Sequence, residues 1–345
     1  MMKRRWMPLA ALAAAAAITA ATVAASAVGG TTAKQATIKM AIVTDIGQLR
    51  DKSFNEAANN GRLQAQRKLK IQTRVYQTNS EAERLPNMQA AARAGYGLVI
   101  AVGFLNFAAL DKAAAAFPDT KFAGVDIPQA VSGNHPNVRG LIFREQEAGY
   151  LVGYIAGLVT KYQKGPDVVS AVGANDVPAI VHYMAGYGAG AKKANPKVTV
   201  LRNYANDPTF SDQAKCKETA LDQIARHTQI IFQVAGGCGL GAIDAANEHK
   251  LWGIGVDVNQ NYLNKRMLTS ALKQVQFAVF STTKDFKKNP KKFRTGFDKI
   301  FTVKNGGIGY APINKKAPHR AQIIKAVAKI KRQIIAGKIK IPTTF

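Results

Sequence analysis

The sequence predicts an α/β protein built from two doubly wound lobes. Apolar, strand-like runs alternate with helical segments from residue 38 onward, and the alternation restarts after residue 145. A chain of 345 residues is long enough for two lobes that each have a core. Two such lobes form a cleft, lined by loops at the carboxyl ends of the strands.

The first half contains four strand-like segments separated by helical ones. The apolar runs predict buried parallel strands, and the intervening segments have helical spacing with glycine or proline at their ends. The predicted strands are TIKMAIVTD, TRVYQT, YGLVIAVG and KFAGVD, and the predicted helices are SFNEAANNGRLQAQRKLK, SEAERLPNMQAAARAG and LNFAALDKAAAAFP. This order predicts a parallel sheet covered by helices on both faces.

The second half repeats this organisation without a visible repeat of sequence. It opens with a strongly apolar helix, EAGYLVGYIAGLVTKY. The following strands are DVVSAVGAND, VTVLRNY, QIIFQVAGG and LWGIGVD, and the helices between them are VPAIVHYMAGYGAGAKKAN, SDQAKCKETALDQIARH and LGAIDAANEHK. The two halves join near residues 143–146.

The N-terminal segment predicts an export signal over residues 1–30. A basic start (KRR at 3–5) precedes an alanine-rich apolar stretch, and ASA at 25–27 offers a cleavage site. An uncleaved anchor is the alternative, because the apolar stretch is long for a signal. No cysteine ends that stretch, so we expect no lipid anchor. We therefore expect the protein at the periplasmic or extracellular face of the cytoplasmic membrane.

The two cysteines, Cys216 and Cys238, predict a disulfide. One lies near the start of a predicted helix and the other just past the next strand. A helix and the strand that follows it run antiparallel in an α/β layer, so both thiols fall at the same end. Export would expose them to an oxidising compartment, whereas two separate buried thiols are the alternative.

The formal net charge of +27 indicates a strongly basic surface. The basic residues are dispersed but denser in the C-terminal third, and no zinc spacing or aromatic-interleaved basic motif accompanies them. We expect no nucleic-acid partner, and a binder of an anionic polymer or nucleic acid is a weaker alternative function. In an exported protein, such a surface favours proximity to anionic lipid or cell-wall polymer.

One motif suggests a dinucleotide site. VAGGCGLGA at 234–242 contains Gly237-x-Gly239-x-x-Ala242, and Asp257 lies 20 residues after Gly237, at the end of the next strand. A dinucleotide fingerprint has its ribose-binding acid at that place. An NAD-dependent oxidoreductase is therefore the alternative function. The export signal and the position of the motif late in the second lobe argue against it.

Other catalytic motifs are absent from the sequence. The five histidines are scattered without metal-ligand spacing, and no G-x-S-x-G, H-E-x-x-H or Walker A pattern occurs. We expect no catalytic residue, metal or cofactor. The strand ends instead carry acidic, amide, glycine and aromatic residues, a set that suits sugar hydroxyls and flat rings.

An ordered series of segments resembles one protein family. TDIGQLRDKSFN (44–55), VIAVGFL (99–105), FREQEAGYLVG (143–153), IIFQVAGGCGLGA (230–242), IGVDVNQ (254–260) and LTSALKQV (268–275) occur in this order. The series closely resembles the basic membrane protein family of ABC-transporter substrate-binding proteins, of the purine-nucleoside-binding type. The likeness extends from about residue 38 to 310. It implies a type I periplasmic-binding-protein fold, with three crossovers and a ligand enclosed by hinge closure.

The resemblance also implies a ligand site. Base edges would be bound by Asp45 and Asn55, and Phe54 would stack on the base. The second stacking residue would be Phe232, with Phe104 as the alternative. The ribose hydroxyls would be bound by Asp257 and Lys273, and Gly236 and Gly237 would admit the backbone close to the sugar.

The expected domain organisation follows from this resemblance. We expect residues 38–143 plus 258–300 in lobe 1, and residues 144–257 plus 301–345 in lobe 2. The expected function is nucleoside uptake by a monomer that delivers its ligand to an ABC permease in the membrane, without chemistry. The segment TDIGQLRDKSFN departs from the family pattern at Gln48-Leu49-Arg50, so the cleft entrance is expected to differ.

Overall fold

The computed structural model describes residues 38–345. The expected signal segment, residues 1–30, lies outside the described residues. Within 38–345, no helix has the combination of length and apolar character needed to cross a membrane.

The first lobe is organised around a parallel sheet. Its strands are β1 (Lys39–Ile46), β2 (Gln72–Thr78), β3 (Leu98–Val102), β4 (Lys121–Val125), β5 (Val138–Phe143) and β11 (Phe297–Phe301). They lie in the order β11-β5-β4-β3-β1-β2, and every neighbouring pair is parallel. The central strand β3 is buried along its whole length, which explains its continuous apolar sequence LVIAV.

The second lobe has a sheet of the same kind. Its strands are β6 (Val168–Gly173), β7 (Thr199–Tyr204), β8 (Ile230–Val234), β9 (Trp252–Asp257), β10 (Met267–Lys273) and β12 (Ile308–Tyr310). The order is β12-β10-β9-β8-β6-β7, and only the edge strand β12 is antiparallel to its neighbour.

Helices cover the faces of both sheets. They are α1 (Phe54–Leu69), α2 (Arg84–Arg93), α3 (Phe107–Ala116), α4 (Glu145–Tyr162), α5 (Pro178–Ala194), α6 (Gln213–Ala225), α7 (Gly239–Glu248), α8 (Val275–Lys288) and α9 (Arg320–Ile335). Helix α4 is buried along most of its length, as its apolar sequence predicts, and it packs against α5. The alternation of strands and helices in the two lobes confirms the predicted α/β class.

Three crossovers join the lobes, and one lies later than the sequence suggests. The chain passes between the sheets after β5, after β10 and after β11. We expected residues 258–300 in the first lobe, but β10 pairs with β9 and β12 in the second sheet. The chain therefore returns to the first lobe only with α8, which packs against α1. The run MLTSALK forms this additional strand beside β9, where almost all of its side chains are buried.

Candidate functional site

A cavity lies between the two lobes, where the carboxyl ends of the central strands meet. It contains about 670 Å³ of space not filled by atoms, part of it open to solvent. Seven of the nine residues expected at the ligand site line it: Asp45, Phe54, Asn55, Phe104, Gly236, Asp257 and Lys273.

The aromatic lining differs from the expectation at one position. Phe232 is fully buried on β8, where its ring packs against Tyr183 and Tyr187 at centroid distances of 6.0 and 5.1 Å. Because Phe232 points into the core of the second lobe, it is not a stacking residue of the cavity, and the expectation was wrong. The second lobe instead contributes Phe210 to the lining, from the loop between β7 and α6, and the first lobe contributes Phe54.

Lys273, at the end of β10, is the centre of a buried charge cluster. Its Nζ lies 2.6 Å from Asp126 Oδ2 and 2.9 Å from Glu145 Oε1, and its side chain is 2% exposed. Burial disfavours the ammonium, but Asp126, Glu145 and Asp257 outweigh that effect and raise the pKa of Lys273 above its usual value. The lysine is therefore fully charged at neutral pH.

The carboxylates around Lys273 are not equivalent. Burial raises the pKa of Asp126, and Lys273 offsets this only partly because Glu145 and Asp257 are also close. Burial also opposes ionisation of Glu145, yet Lys273 and a contact with His182 hold the pKa of Glu145 below its usual value. The charge of Lys273, together with the His182 contact, thus offsets the cost of burying an ionised Glu145 fully, but Lys273 offsets the same cost for Asp126 only in part.

Asp257, at the end of β9, connects the cluster to the first lobe. Its Oδ2 accepts a hydrogen bond of 2.7 Å from Ser53 Oγ, and its Oδ1 accepts one of 3.4 Å from Tyr183. Burial raises its pKa, whereas Lys273 lowers it. Since Ser53 belongs to the first lobe, this hydrogen bond joins the lobes directly across the cleft.

Asp51 fixes the start of α1 at the cavity wall. Its carboxylate accepts the backbone N–H groups of Ser53, Asn55 and Glu56, which satisfies donors that a helix start leaves free. Burial raises the pKa of Asp51 to about 6 despite these hydrogen bonds. The anchored helix start places Phe54 and Asn55 in the lining.

One carboxylate oxygen of Asp45 is hydrogen-bonded to Arg84 and to the backbone. Its Oδ1 accepts hydrogen bonds from the backbone N–H of Ile46 at 2.8 Å and from Arg84 Nη2 at 3.3 Å. Among the described residues, no donor reaches Oδ2. Burial raises the pKa of Asp45 to about 6, and the Ile46 and Arg84 contacts lower it in part. At neutral pH the ionised form of Asp45 therefore dominates, and its Oδ2 is free to accept a hydrogen bond.

Two lining residues carry buried acceptor atoms without a partner. Among residues 38–345, neither Asn55 Oδ1 nor Asp126 Oδ1 receives a hydrogen bond. A buried acceptor without a donor is costly, and such groups are uncommon in folded proteins. A ligand with N–H or O–H groups would satisfy both of them.

The glycine-rich segment has separate roles at its two ends. Gly236 lines the cavity in a left-handed conformation with φ of +58°, which favours glycine. Gly237 does not line the cavity; it lies beside the Phe210 carbonyl, 3.3 Å from the place of a Cβ. This position corrects the expectation that both glycines contact the ligand. Further on, a Cβ at Gly241 would come within 1.9 Å of the Gln213 carbonyl, so that glycine permits α7 to approach α6.

The two cysteines are bonded to each other. The disulfide Cys216–Cys238 joins α6 to the residue that precedes α7. The backbone N–H of Cys238 also donates to the Phe210 carbonyl at 3.0 Å. The bond therefore supports the loop that brings Phe210 to the cavity.

Several residues at the cavity were not among those expected at the ligand site, including Asp126, Glu145, Tyr183 and Phe210. Asp126 follows a strand, but sequence alone does not distinguish a ligand contact from a helix cap. Glu145 begins the apolar helix α4, where an acid is favoured by the helix start alone, so its contact with Lys273 could not be inferred from the sequence. Tyr183 and Phe210 lie in a helix and a loop, and no local pattern marks them as cleft residues.

The fold and the cavity between the lobes are those of a solute-binding protein. The chain belongs to the family of PnrA-like ABC transporter substrate-binding proteins, whose sequence model matches residues 38–344. Proteins of this class are extracytoplasmic, bind small ligands and act with membrane permeases. The predicted family is thereby confirmed.

Individual proteins support this assignment. The chain is 33% identical to the "ABC transporter nucleoside-binding protein BmpA" of Lactococcus lactis subsp. cremoris, over 99% of this chain and 100% of that protein. It is 30% identical to an "uncharacterized lipoprotein" of Pyrococcus furiosus, over 82% of this chain and 72% of that protein. A crystal structure of an ABC transporter solute-binding protein from Aeropyrum pernix K1 superposes with a TM-score of 0.78, at 25% identity, over 89% of this chain and 93% of that one. The fold is of the type I periplasmic-binding-protein class, as predicted.

Proposed function

We propose that the chain binds a nucleoside, preferably a purine nucleoside, between its lobes and delivers it to an ABC permease without chemical change. The observation that carries this proposal is the composition of the cavity. Aromatic rings from both lobes share one cavity with a buried lysine–carboxylate cluster. A flat base and a polyhydroxylated sugar are the two parts that such a cavity suits.

The base would lie between Phe54 and Phe210. Each ring comes from a different lobe, so a base between them would contribute buried apolar area to both sides of the cleft. The free Oδ2 of Asp45 and the amide of Asn55 would bind the polar edge of the base, and Phe104 would cover the cavity beside them. A purine presents N–H donors at that edge, and Asn55 Oδ1, which has no partner among residues 38–345, would accept one of them.

The ribose would lie against the charge cluster. Asp257 and the unpaired Oδ1 of Asp126 would accept its hydroxyl hydrogens, and Lys273 would donate to a ribose oxygen. Hydrogen bonds to ionised groups are stronger than those between neutral groups. These residues are already held by one another, so little side-chain entropy would be lost on binding.

The charge of the cavity disfavours phosphorylated ligands. Among residues 38–345, four carboxyl groups line it, those of Asp45, Asp51, Asp126 and Asp257, and the single lining cation, Lys273, is already paired with carboxylates. A phosphate placed there would meet net negative charge in a region of low dielectric constant. A neutral nucleoside therefore fits better than a nucleotide or NAD, and the oxidoreductase alternative receives no support from the family assignment.

Lobe closure would be the functional event. The lobes touch through Ser53 and Asp257, and through Gln260 Nε2, which donates to the Lys52 carbonyl at 2.9 Å. A ligand that contacts both lobes favours the closed form over an open one. The closed monomer would then be the form that the permease recognises.

Calorimetry of ligand binding tests this proposal. The protein is unfolded, dialysed to remove bound molecules and refolded, and it is then titrated with inosine, guanosine, adenosine, cytidine, GMP and NAD. We expect purine nucleosides to bind most tightly and GMP at least ~100-fold more weakly than guanosine, about 3 kcal/mol for one unfavourable buried charge contact.

A matched pair of variants locates the binding. Asp257→Asn removes a cavity carboxylate, whereas Asp244→Asn makes the same change at an exposed position on α7. Nucleoside affinity should fall only in the first variant. Tight NAD binding without a nucleoside response, or equal affinities in the two variants, would overturn the proposal.

A further inference from the structure

The outer end of the first lobe carries a dense group of basic side chains. They come from the C-terminal turn of α1 and the residue after it, from the C-terminal turn of α8, and from the short turn that follows α8. All are exposed to solvent. We call this group the distal basic patch: Arg67, Lys68, Lys70, Lys287, Lys288, Lys291 and Lys292.

Contacts between the two helices bring these residues together. Gln276 Nε2, near the start of α8, donates to Gln64 Oε1 at 3.0 Å. Near the end of α8, Lys287 Nζ donates to the Leu69 carbonyl at 2.6 Å. Later residues of one helix meet later residues of the other, so the two helices run parallel and their C-termini lie side by side.

The patch lies far from the ligand cavity. Helix α1 begins at Phe54 in the cavity lining and continues for 16 residues, a length of about 24 Å at 1.5 Å per residue. Its C-terminus is therefore at the opposite end of the lobe. A partner bound to the distal basic patch would leave the cleft free.

The positive charge of the patch is not compensated locally. Neither residues 63–71 nor residues 286–297 include an aspartate or a glutamate. Within residues 38–345, none of the seven side chains forms an ion pair, and the nearest acid in sequence, Asp285, contacts Arg139 and Lys299 instead. The helix dipole favours basic residues in the last turn of a helix, which explains the basic residues at the ends of α1 and α8. The dipole effect does not extend to Lys291 and Lys292, which lie beyond α8.

We infer that the distal basic patch binds the surface of a bilayer containing anionic phospholipid and holds the protein there by electrostatic attraction. The composition of the patch favours lipid over a protein partner. Six of its seven side chains are lysines, which are depleted in the buried centres of protein–protein interfaces. Lysines near an anionic bilayer surface each strengthen binding about fivefold, without a need for defined geometry.

Sedimentation with lipid vesicles tests this inference. The purified protein without residues 1–30, the expected export signal, is mixed with vesicles of phosphatidylglycerol and phosphatidylcholine, or of phosphatidylcholine alone, at low and high salt. We expect binding only to the anionic vesicles, with affinity falling as salt rises. Binding of equal strength to neutral vesicles would overturn the inference, as would no binding to anionic vesicles at low salt.

Two variants with equal charge change separate the patch from the overall charge. The patch variant is Lys288→Glu, Lys291→Glu and Lys292→Glu, and the control is Lys325→Glu, Lys329→Glu and Lys340→Glu in the second lobe, all at exposed positions. The patch variant should lose on the order of 100-fold in vesicle affinity, and the control much less. Equal losses of vesicle affinity in the two variants would show that binding depends on the net charge and not on the distal basic patch, and would overturn the inference. Unchanged circular dichroism and thermal unfolding in both variants verify that they fold.

Discussion

Replacing Lys273 by methionine should destabilise the protein strongly. The side chain is 2% exposed and compensates two carboxylates within 2.9 Å, with a third, Asp257, close by. Removing one partner of a buried ion pair costs about 3–5 kcal/mol because the other charge stays buried. We expect a loss in this range for the free energy of unfolding at pH 7, measured by urea denaturation.

The pH dependence distinguishes this explanation from a loss of packing. Without Lys273, the folded-state pKa values of Asp126 and Asp257, already raised by burial, should rise further above their unfolded values. The folded state then binds more protons than the unfolded state, so stability falls as pH rises. The variant should therefore regain part of its lost stability between pH 8 and pH 5.

An exposed lysine provides the control. Lys265→Met removes the same charge from the loop before β10, where the side chain is exposed. It should change the free energy of unfolding by less than about 0.5 kcal/mol. If Lys273→Met behaves like this control, or if its loss of stability is the same at pH 5 and pH 8, the account of the charge cluster is wrong.

Three further predictions concern binding and the loop that carries Phe210. Phe54→Ala should weaken purine-nucleoside binding by about 1–3 kcal/mol through loss of stacking. The affinity for free ribose should change little, and calorimetry with inosine and with ribose measures the two affinities. Binding of guanosine should weaken as pH falls through about 6, because protonation replaces the charged acceptor of Asp45 by a weaker neutral one. Asp45→Asn should make this pH dependence smaller without removing it, since burial also raises the pKa values of Asp51 and Asp126 in the same cavity. Reduction of Cys216–Cys238 should lower the free energy of unfolding by about 3 kcal/mol, given the 22-residue separation; an unchanged midpoint in urea after reduction would contradict this.

The fold could be predicted because its signals are local and repeated. Apolar runs such as LVIAV in β3 predict buried parallel strands, and the structure places that strand at the centre of a sheet. The late crossover could not be predicted in the same way. Whether MLTSALK joins the first or the second sheet depends on its hydrogen bonds to β9, the preceding strand, and to β12, which follows much later in the chain. The local sequence does not show which strands become its neighbours.

The site was predictable where residues follow strands directly. Asp45, Gly236 and Asp257 lie at the ends of predicted strands or just beyond them, and parallel strands bring such positions to one edge. Lys273 ends β10, a strand that was not predicted, and was expected at the site only through the resemblance to the family. Phe232 was misassigned because it lies within β8, where neighbouring side chains point to opposite faces.

Phe210 shows the limit of local reasoning. It belongs to a loop that is positioned by Asp207 and by the backbone of Cys238. Its place in the cavity follows from these tertiary contacts. A sequence pattern carries no comparable information about loop position.

Mass spectrometry of released small molecules tests the central claim most directly. The protein and its Asp257→Asn variant are incubated with an equimolar mixture of nucleosides, nucleotides, NAD and sugars, desalted and denatured. We predict about one purine nucleoside per chain from the unmodified protein and far less from the variant. Release of a nucleotide, NAD or a sugar in place of a nucleoside, or equal release from both proteins, would contradict the account.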